Sequence, residues 1–230
     1  MGHARMRTTV AVLALLLAAG AADALDAPTG TDFVPPAELA AGWYARIETS
    51  HGRIVARLHP DQAPQAVAHF AALARGELEW RTPSGQVKKA PYYEGIPVNF
   101  VRAGHLFEVG DPHGNSDGVP QVFVPWESNS IYGFGRAGRL GTSRRGIGRS
   151  GAVFFVTASA NRDLERSHTC FGTVVSDLEV VYRISEVKAH PNGRPVEPVV
   201  IEGVHIFSVG DPPPLPTPVP HTPQRVPIGD

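Results

Sequence analysis

Two glycine runs raise the possibility of phosphate chemistry: Gly133-Phe134-Gly135-Arg136-Ala137-Gly138 and Gly146-Ile147-Gly148-Arg149-Ser150-Gly151 both fit G-x-G-x-x-G. A dinucleotide cradle needs a strand before the glycines and a helix after them, so that phosphate meets the helix N-terminus. No amphipathic helical pattern follows either run, and both read as loop glycines. Arg136, Arg139, Arg144, Arg145 and Arg149 fall in the same stretch. With a formal net charge of -1 over the whole chain, this basic cluster reads as a solvated loop face rather than a nucleic-acid surface. His105, Glu108, Asp111 and His113 carry metal-ligand chemistry. On a strand, however, His105 and Glu108 point to opposite faces, so they read as strand and loop polar residues. No G-x-S-x-G, H-E-x-x-H or Cys/His nucleophile pattern is present. The one cysteine, Cys170, allows neither an intramolecular disulfide nor a cysteine-based metal site. Neither a metal nor a cofactor is expected.

The elements that must position any site follow from the periodicities. At 230 residues and 42% hydrophobic, the chain suits one domain of roughly 150–200 residues with appendages. Its 24 glycines and 22 prolines favour short strands and turns. Arg5 and Arg7, the apolar run Val10 to Ala19 and the A-x-A site Ala22-Asp23-Ala24 read as an export signal over 1–24. The run is too short for the roughly 20 residues of a membrane span. Residues 25–41 form a linker, and an exported protein, periplasmic or secreted, is expected. Trp43 to Ser50 and Arg53 to Leu58 alternate apolar and polar residues about His51-Gly52, as a hairpin does. A helix is expected from Pro60-Asp61 to Gly76, with Ala63, Val67, Phe70 and Ala74 on one apolar face. Strands are expected at Val98 to Ala103, His105 to Val109, Ala152 to Ala158, Thr169 to Val175 and Val199 to Phe207, and a short helix at Leu178 to Ile184. Glu77 to Ala90, Gly110 to Gly118 and Gly141 to Gly151 read as loops. The domain spans 42–208, and the Pro-rich tail 209–230 is expected to be extended, polyproline II-like and mobile. The fold class is mainly β: a closed barrel with helices at its ends.

The order of several segments carries a resemblance. Ile47-Glu48-Thr49-Ser50-His51-Gly52-Arg53-Ile54, followed by Ala63-Pro64 and Val67-Ala68-His69-Phe70, resembles the first hairpin and helix of cyclophilins. Pro91-Tyr92-Tyr93-Glu94-Gly95 resembles the entry to that family's catalytic strand, and Gly110-Asp111-Pro112 the turn that ends it. Phe154-Phe155-Val156-Thr157 resembles its Gln-Phe-Phe-Ile-Thr strand without the Gln, and His168-Thr169-Cys170-Phe171-Gly172 its His-x-x-Phe-Gly. The resemblance runs from Trp43 to about Phe207. It implies an eight-stranded antiparallel barrel capped by two helices, and catalysis of cis/trans isomerisation of X-Pro bonds. The implied partners are proline-containing polypeptides. A monomer is expected, without nucleic acid and without a membrane span once the signal is removed.

The resemblance also places the site, and the chain departs from it there. Read without gaps from Gly95 to Asp111, the catalytic arginine position falls on Phe100. The pocket phenylalanine falls on His105, the pocket methionine on Leu106 and the backbone-binding glutamine on Glu108. The Ala-Asn pair that receives substrate backbone falls on Ser143-Arg144, the second glutamine on Val153 and a pocket tryptophan on Asp163. Phe155, Leu164 and His168 match the proline pocket. Arg102, two residues beyond Phe100 and so on the same strand face, is the candidate substitute guanidinium, and Arg144 is a second. A gapped reading sets Phe100-Val101-Arg102 on the family's Phe-His-Arg itself. The functional expectation is a prolyl isomerase of reduced activity assisting exported proteins; the alternative is a non-catalytic peptidyl-proline binding module.

Overall fold

The computed structural model describes residues 39–82, 84–112, 124–127, 131–145 and 148–219, with backbone alone for 144, 145 and 148–151. The expected signal, most of the linker, and the tail beyond 219 lie outside the described residues. Strands β1 (Gly42–Thr49) and β2 (Gly52–Leu58) form the expected hairpin, in a register that sets Ile47 opposite Ile54, both in the core. The turn closes on Gly52, whose φ of 124° lies where only glycine is at ease, and the Thr49 hydroxyl donates to its carbonyl at 2.6 Å.

Helix α1 (Pro64–Ala74) starts later than Asp61, because Ala63 takes the N-cap position and offers no side-chain acceptor. The carboxylate of Glu127, distant in sequence, caps it instead: the Gln65 and Ala66 N–H groups donate to its two oxygens at 2.8 and 2.9 Å. Burial pushes the Glu127 carboxyl up from its ordinary value, and those two hydrogen bonds oppose the shift. Rather than one apolar face, every residue from Ala66 to Ala74 is buried. Small alanines let the helix sit deep in the barrel mouth, and Phe70 meets Tyr93, Phe154 and Phe171 at ring separations of 5.2–5.3 Å.

A two-stranded ribbon of β3 (Trp80–Arg81) and β4 (Val87–Lys88) lies within the segment read as a loop. Strands β5 (Ile96–Arg102), β6 (Leu106–Val109), β7 (Arg139–Arg145) and β8 (Gly148–Thr157) follow, then a 3-10 turn over Arg162–Arg166, β9 (Cys170–Ser176), α2 (Leu178–Ser185) and β10 (Val200–Val209). The barrel closes in the order β1-β10-β5-β6-β8-β7-β9-β2, every pairing antiparallel. Helix α2 buries Val180, Val181 and Ile184 in a second contact with the core.

Strand β7 corrects the loop expected over Gly141 to Gly151. Its RLGTSRR sequence carries no apolar alternation, since its pairing with β8 and β9 holds it in place without an apolar row. Gly141 is there for space: a Cβ on it would lie 2.3 Å from Phe155 Cζ and 2.7 Å from Phe134 Cζ. Nor is the arginine cluster wholly solvated. Arg139 is buried, donates to the Thr173 hydroxyl and lies over the Tyr132 ring. The tail is also not free along its described length. The Trp43 indole N–H donates to the Pro213 carbonyl at 2.8 Å, Leu215 packs on the core, and the Val219 N–H donates to Gln65 Oε1 at 2.9 Å. Proline's fixed φ leaves little chain entropy to lose on docking.

Candidate functional site

Along β8, Phe154 and Val156 enter the core and Phe155 faces outward. There it joins a second apolar cluster, with Phe134 and Cys170 buried and Leu106, Tyr132 and Leu164 packed against them. Phe134 supports Phe155 from below at 5.3 Å between ring centroids. His168 stands edge-on to Phe155 at 5.1 Å. Its Nδ1 lies 2.8 Å from the Thr142 carbonyl, which can only accept, so Nδ1 carries the proton. The four residues Leu106, Phe155, Leu164 and His168 thus form one wall, the apolar, ring-shaped surface that a proline side chain fits.

A carboxylate borders this wall. Cross-strand pairing sets Glu108 beside Phe155 on one side and Phe100 on the other, all on the outer face. Asn99 Nδ2 donates to Glu108 Oε1 at 2.9 Å, and the Ser143 hydroxyl donates to Oε2. Asn99 reaches Glu108 because β5 bulges between Val98 and Phe100, which pair with Val109 and Glu108 respectively. The extra residue turns Asn99 out of the simple alternation. Its own Oδ1 is buried with no hydrogen-bond partner among the described residues. Two buried phenols brace the strand ends beside Glu108: Tyr92 donates to the Gly110 carbonyl at 2.6 Å and Tyr93 to the Ala152 carbonyl at 3.0 Å. Burial pushes both phenols well above their ordinary range.

Other expected positions fall elsewhere. His105 sits exposed in the β5–β6 turn, with Nδ1 3.3 Å from the Ser159 hydroxyl, so it is not a pocket floor. Val153 is buried, and no polar group at that position meets solvent or substrate. Asp163 is exposed on the 3-10 turn. Phe100 is half-buried and packs so tightly on Gly193 that a Cβ there would lie 2.3 Å from its ring. Arg102 is exposed at the end of β5. With Phe100 it lines a cleft of about 680 Å³ whose other side includes Glu186, Lys188, His190 and Pro191. The Arg144 side chain and His113 lie outside the described residues. Among the described residues, no group of three His, Cys, Asp or Glu is placed to hold a metal ion. Burial raises the Cys170 thiol to about 11, so it stays protonated and packs as an apolar group.

Asn99, Phe134 and Tyr132 belong to this site and escape the sequence reading. Flanking glycines at 133 and 135 were the available signal for Phe134, a buried ring in a crowded loop: a Cβ on Gly133 would lie 2.4 Å from Glu165 Oε1. No sequence signal announces the bulge at Asn99.

Known proteins resemble this chain in sequence and in fold. A family model described as cyclophilin type peptidyl-prolyl cis-trans isomerase/CLD matches residues 44–206. Peptidyl-prolyl cis-trans isomerase B of Streptomyces anulatus is 36% identical over 165 residues, covering 70% of this chain and 94% of that protein. Peptidyl-prolyl cis-trans isomerase A of Mycobacterium tuberculosis is 34% identical over 170 residues, covering 70% and 91%. Among solved structures, a Cryptosporidium parvum cyclophilin type peptidyl-prolyl cis-trans isomerase aligns with a TM-score of 0.61 at 21% identity, over 75% of this chain and 100% of that one. A second structure of that protein, in the presence of the dipeptide Ala-Pro, aligns with a TM-score of 0.59 at 22% identity, over 72% and 99%.

Proposed function

Because this chain belongs to the family of cyclophilin-type peptidyl-prolyl cis-trans isomerases, we propose that it binds X-Pro segments of exported polypeptides on the Phe155 face and isomerises them slowly. The observation that carries the reading is one juxtaposition. The wall of Leu106, Phe155, Leu164 and His168 stands beside a held carboxylate, and across from that carboxylate lies Phe100, the position to which the resemblance assigns the catalytic arginine.

The reaction must lower a rotation barrier of about 18–20 kcal/mol set by amide resonance. At the twisted state resonance is lost and the proline nitrogen becomes pyramidal and basic, so a donor aimed at it stabilises the transition state selectively. In this chain the wall grips the proline ring, and Glu108 accepts from a substrate backbone N–H. Holding the ring while the peptide on the other side of the bond rotates is itself useful. The benzyl side chain of Phe100, however, donates no hydrogen bond to nitrogen. Binding therefore outlasts catalysis. The same absence favours the second reading, a peptidyl-proline binding module with no turnover.

A protease-coupled or NMR exchange assay on an X-Pro tetrapeptide tests the proposal. Slow but enzyme-dependent exchange, saturating with peptide, supports it. Binding without exchange selects the second reading, and neither binding nor exchange removes both.

A further inference from the structure

The described end of the chain points to a second site, independent of the isomerase reading. After β10, residues 211–219 (Asp-Pro-Pro-Pro-Leu-Pro-Thr-Pro-Val) lie extended against the β1–β2 side of the barrel. Pro212, Pro213, Pro214 and Pro216 form one side of a cleft of about 470 Å³. Trp43, Leu58, His59, Pro60 and Tyr132 contribute to the other. Strand order sets this face away from the Phe155 wall: β10 and β5 separate β1 from β6, and β9 and β7 separate β2 from β8. Tyr132 touches both regions.

The chemistry of this face matches a polyproline II ligand. Such a segment has no internal hydrogen bonds, so its carbonyls await donors, and its rings pack on aromatic grooves. Trp43 supplies the donor, its indole N–H bonding the Pro213 carbonyl at 2.8 Å. The Arg75 guanidinium, 5.4 Å from the Trp43 ring centroid, helps hold the indole in place. Tyr132 and His59 stack face to face at 3.7 Å and rigidify the far side. The Leu215 side chain anchors the run on the core, and the Gln65 amide oxygen takes the Val219 N–H.

We propose that the β1–β2 face is a binding site for proline-rich segments in the polyproline II conformation, and that residues 211–219 are its cis occupant, displaceable by such a segment from another polypeptide. Two features mark the occupant as exchangeable. Among the described residues it is tied by two hydrogen bonds and one apolar side chain. It also leaves the cleft open beneath its prolines, forfeiting the dispersion contacts a filled groove would make. Tethered at Gly210, it competes at an effective concentration on the order of millimolar, so an outside ligand binds the natural chain weakly until the tail is released.

The test uses the full chain and a fluorescent peptide of residues 209–219, followed by anisotropy. Leu215→Asp removes the tail's apolar anchor, and this variant should bind the peptide at least tenfold more tightly than the natural chain does. Adding Trp43→Phe, which deletes the indole donor, should weaken that binding about three- to tenfold. A peptide with Gly and Ser in place of its prolines should fail to compete. The proposal is overturned if the released chain does not bind, if it binds no better than the natural chain, if Trp43→Phe changes nothing, or if the Gly/Ser peptide competes equally. Should circular dichroism show Leu215→Asp unfolded, the natural chain decides by NMR. The Val219 amide resonance of the isotope-labelled natural chain, whose N–H bonds Gln65 Oε1, must move as unlabelled peptide reaches several millimolar and releases the chain's own tail; a stationary resonance overturns the proposal. X-Pro exchange measured on the same samples reads the isomerase site separately.

Discussion

Restoring the guanidinium tests the proposed chemistry most directly, and the structure says that Phe100→Arg alone is not enough. Residue 100 pairs with Glu108 across β5 and β6, so an arginine there projects onto the same face as the carboxylate. Opposite unit charges about 4 Å apart in a partly buried setting attract by on the order of 4 kcal/mol. That equals or exceeds the roughly 2.7–4 kcal/mol that a positioned transition-state donor contributes. Glu108 therefore competes with the proline nitrogen for the new guanidinium. Phe100→Arg should raise kcat/KM by less than about tenfold, and Phe100→Arg with Glu108→Gln by about 10²–10³. The glutamine keeps an acceptor oxygen for Asn99 Nδ2, which now bonds Glu108 Oε1.

The assay is X-Pro exchange at equal concentrations of folded protein, with Glu108→Gln alone as reference. Melting curves accompany it, because removing the Phe100 ring also removes its packing on Gly193. Two results would refute the reasoning. A natural chain already as fast as the double variant would mean the donor comes from elsewhere. A single variant as fast as the double would mean the carboxylate does not compete.

Arg102→Ala should leave exchange unchanged, since Arg102 is exposed at the end of its strand, two residues beyond the pairing of Phe100 with Glu108; loss of activity in that variant would make Arg102 the donor. Gly141→Ala should destabilise the fold by about 1–3 kcal/mol, because its Cβ meets the Phe155 and Phe134 rings at 2.3 and 2.7 Å; peptide affinity, read by calorimetry, should fall with it. His59 is held down at about 4, chiefly by burial and then by the charge of Arg139. Unfolded, it takes its proton near the ordinary 6.5; folded, it resists until about 4. It therefore favours the folded state fully above pH 6.5, and that contribution drains as pH falls from 6.5 to 4, by about 3 kcal/mol in all. Urea unfolding at pH 7 and pH 4.5 should show a steeper loss for the natural chain than for His59→Gln. Export, finally, predicts a mature N-terminus at Leu25; N-terminal sequencing of protein recovered from the cell envelope should find it, and an intact Met1 there would remove the signal reading.

The parts of the fold legible in the sequence are those where burial imposes a period. Strands β1, β2, β8 and β10 alternate or run apolar because one or both of their faces are covered, and Phe70 marks α1 by spacing. Strand β7 is invisible for the opposite reason. Its neighbours set its position, its glycine makes room for rings, and its arginine at 139 is buried by hydrogen bonding rather than by apolarity. The docked tail is hidden similarly: prolines read as a mobile spacer until an indole donor and a core contact are found for them.

At the site, the order of motifs was enough to assemble the wall of Leu106, Phe155, Leu164 and His168. It was not enough to find the clamp on Glu108, since a bulge is one residue of broken alternation and leaves no mark on composition. Arg102 shows where strand parity stops being informative. The two-residue period puts it on the same face as Phe100, and the pairings of Phe100 with Glu108 and of Arg102 with Leu106 agree. Parity fixes a face, however, not a destination. Arg102 ends its strand, the chain turns at once through Ala103 and Gly104 to His105, and the cleft it lines is walled by the segment that follows α2. Among the described residues the Arg102 guanidinium has no ion-pair partner to hold it in place, whereas residue 100 lies directly across from Glu108, which in turn pairs with Phe155. That is why the Phe100 position, and not Arg102, is the one at which the chain's catalytic rate should respond.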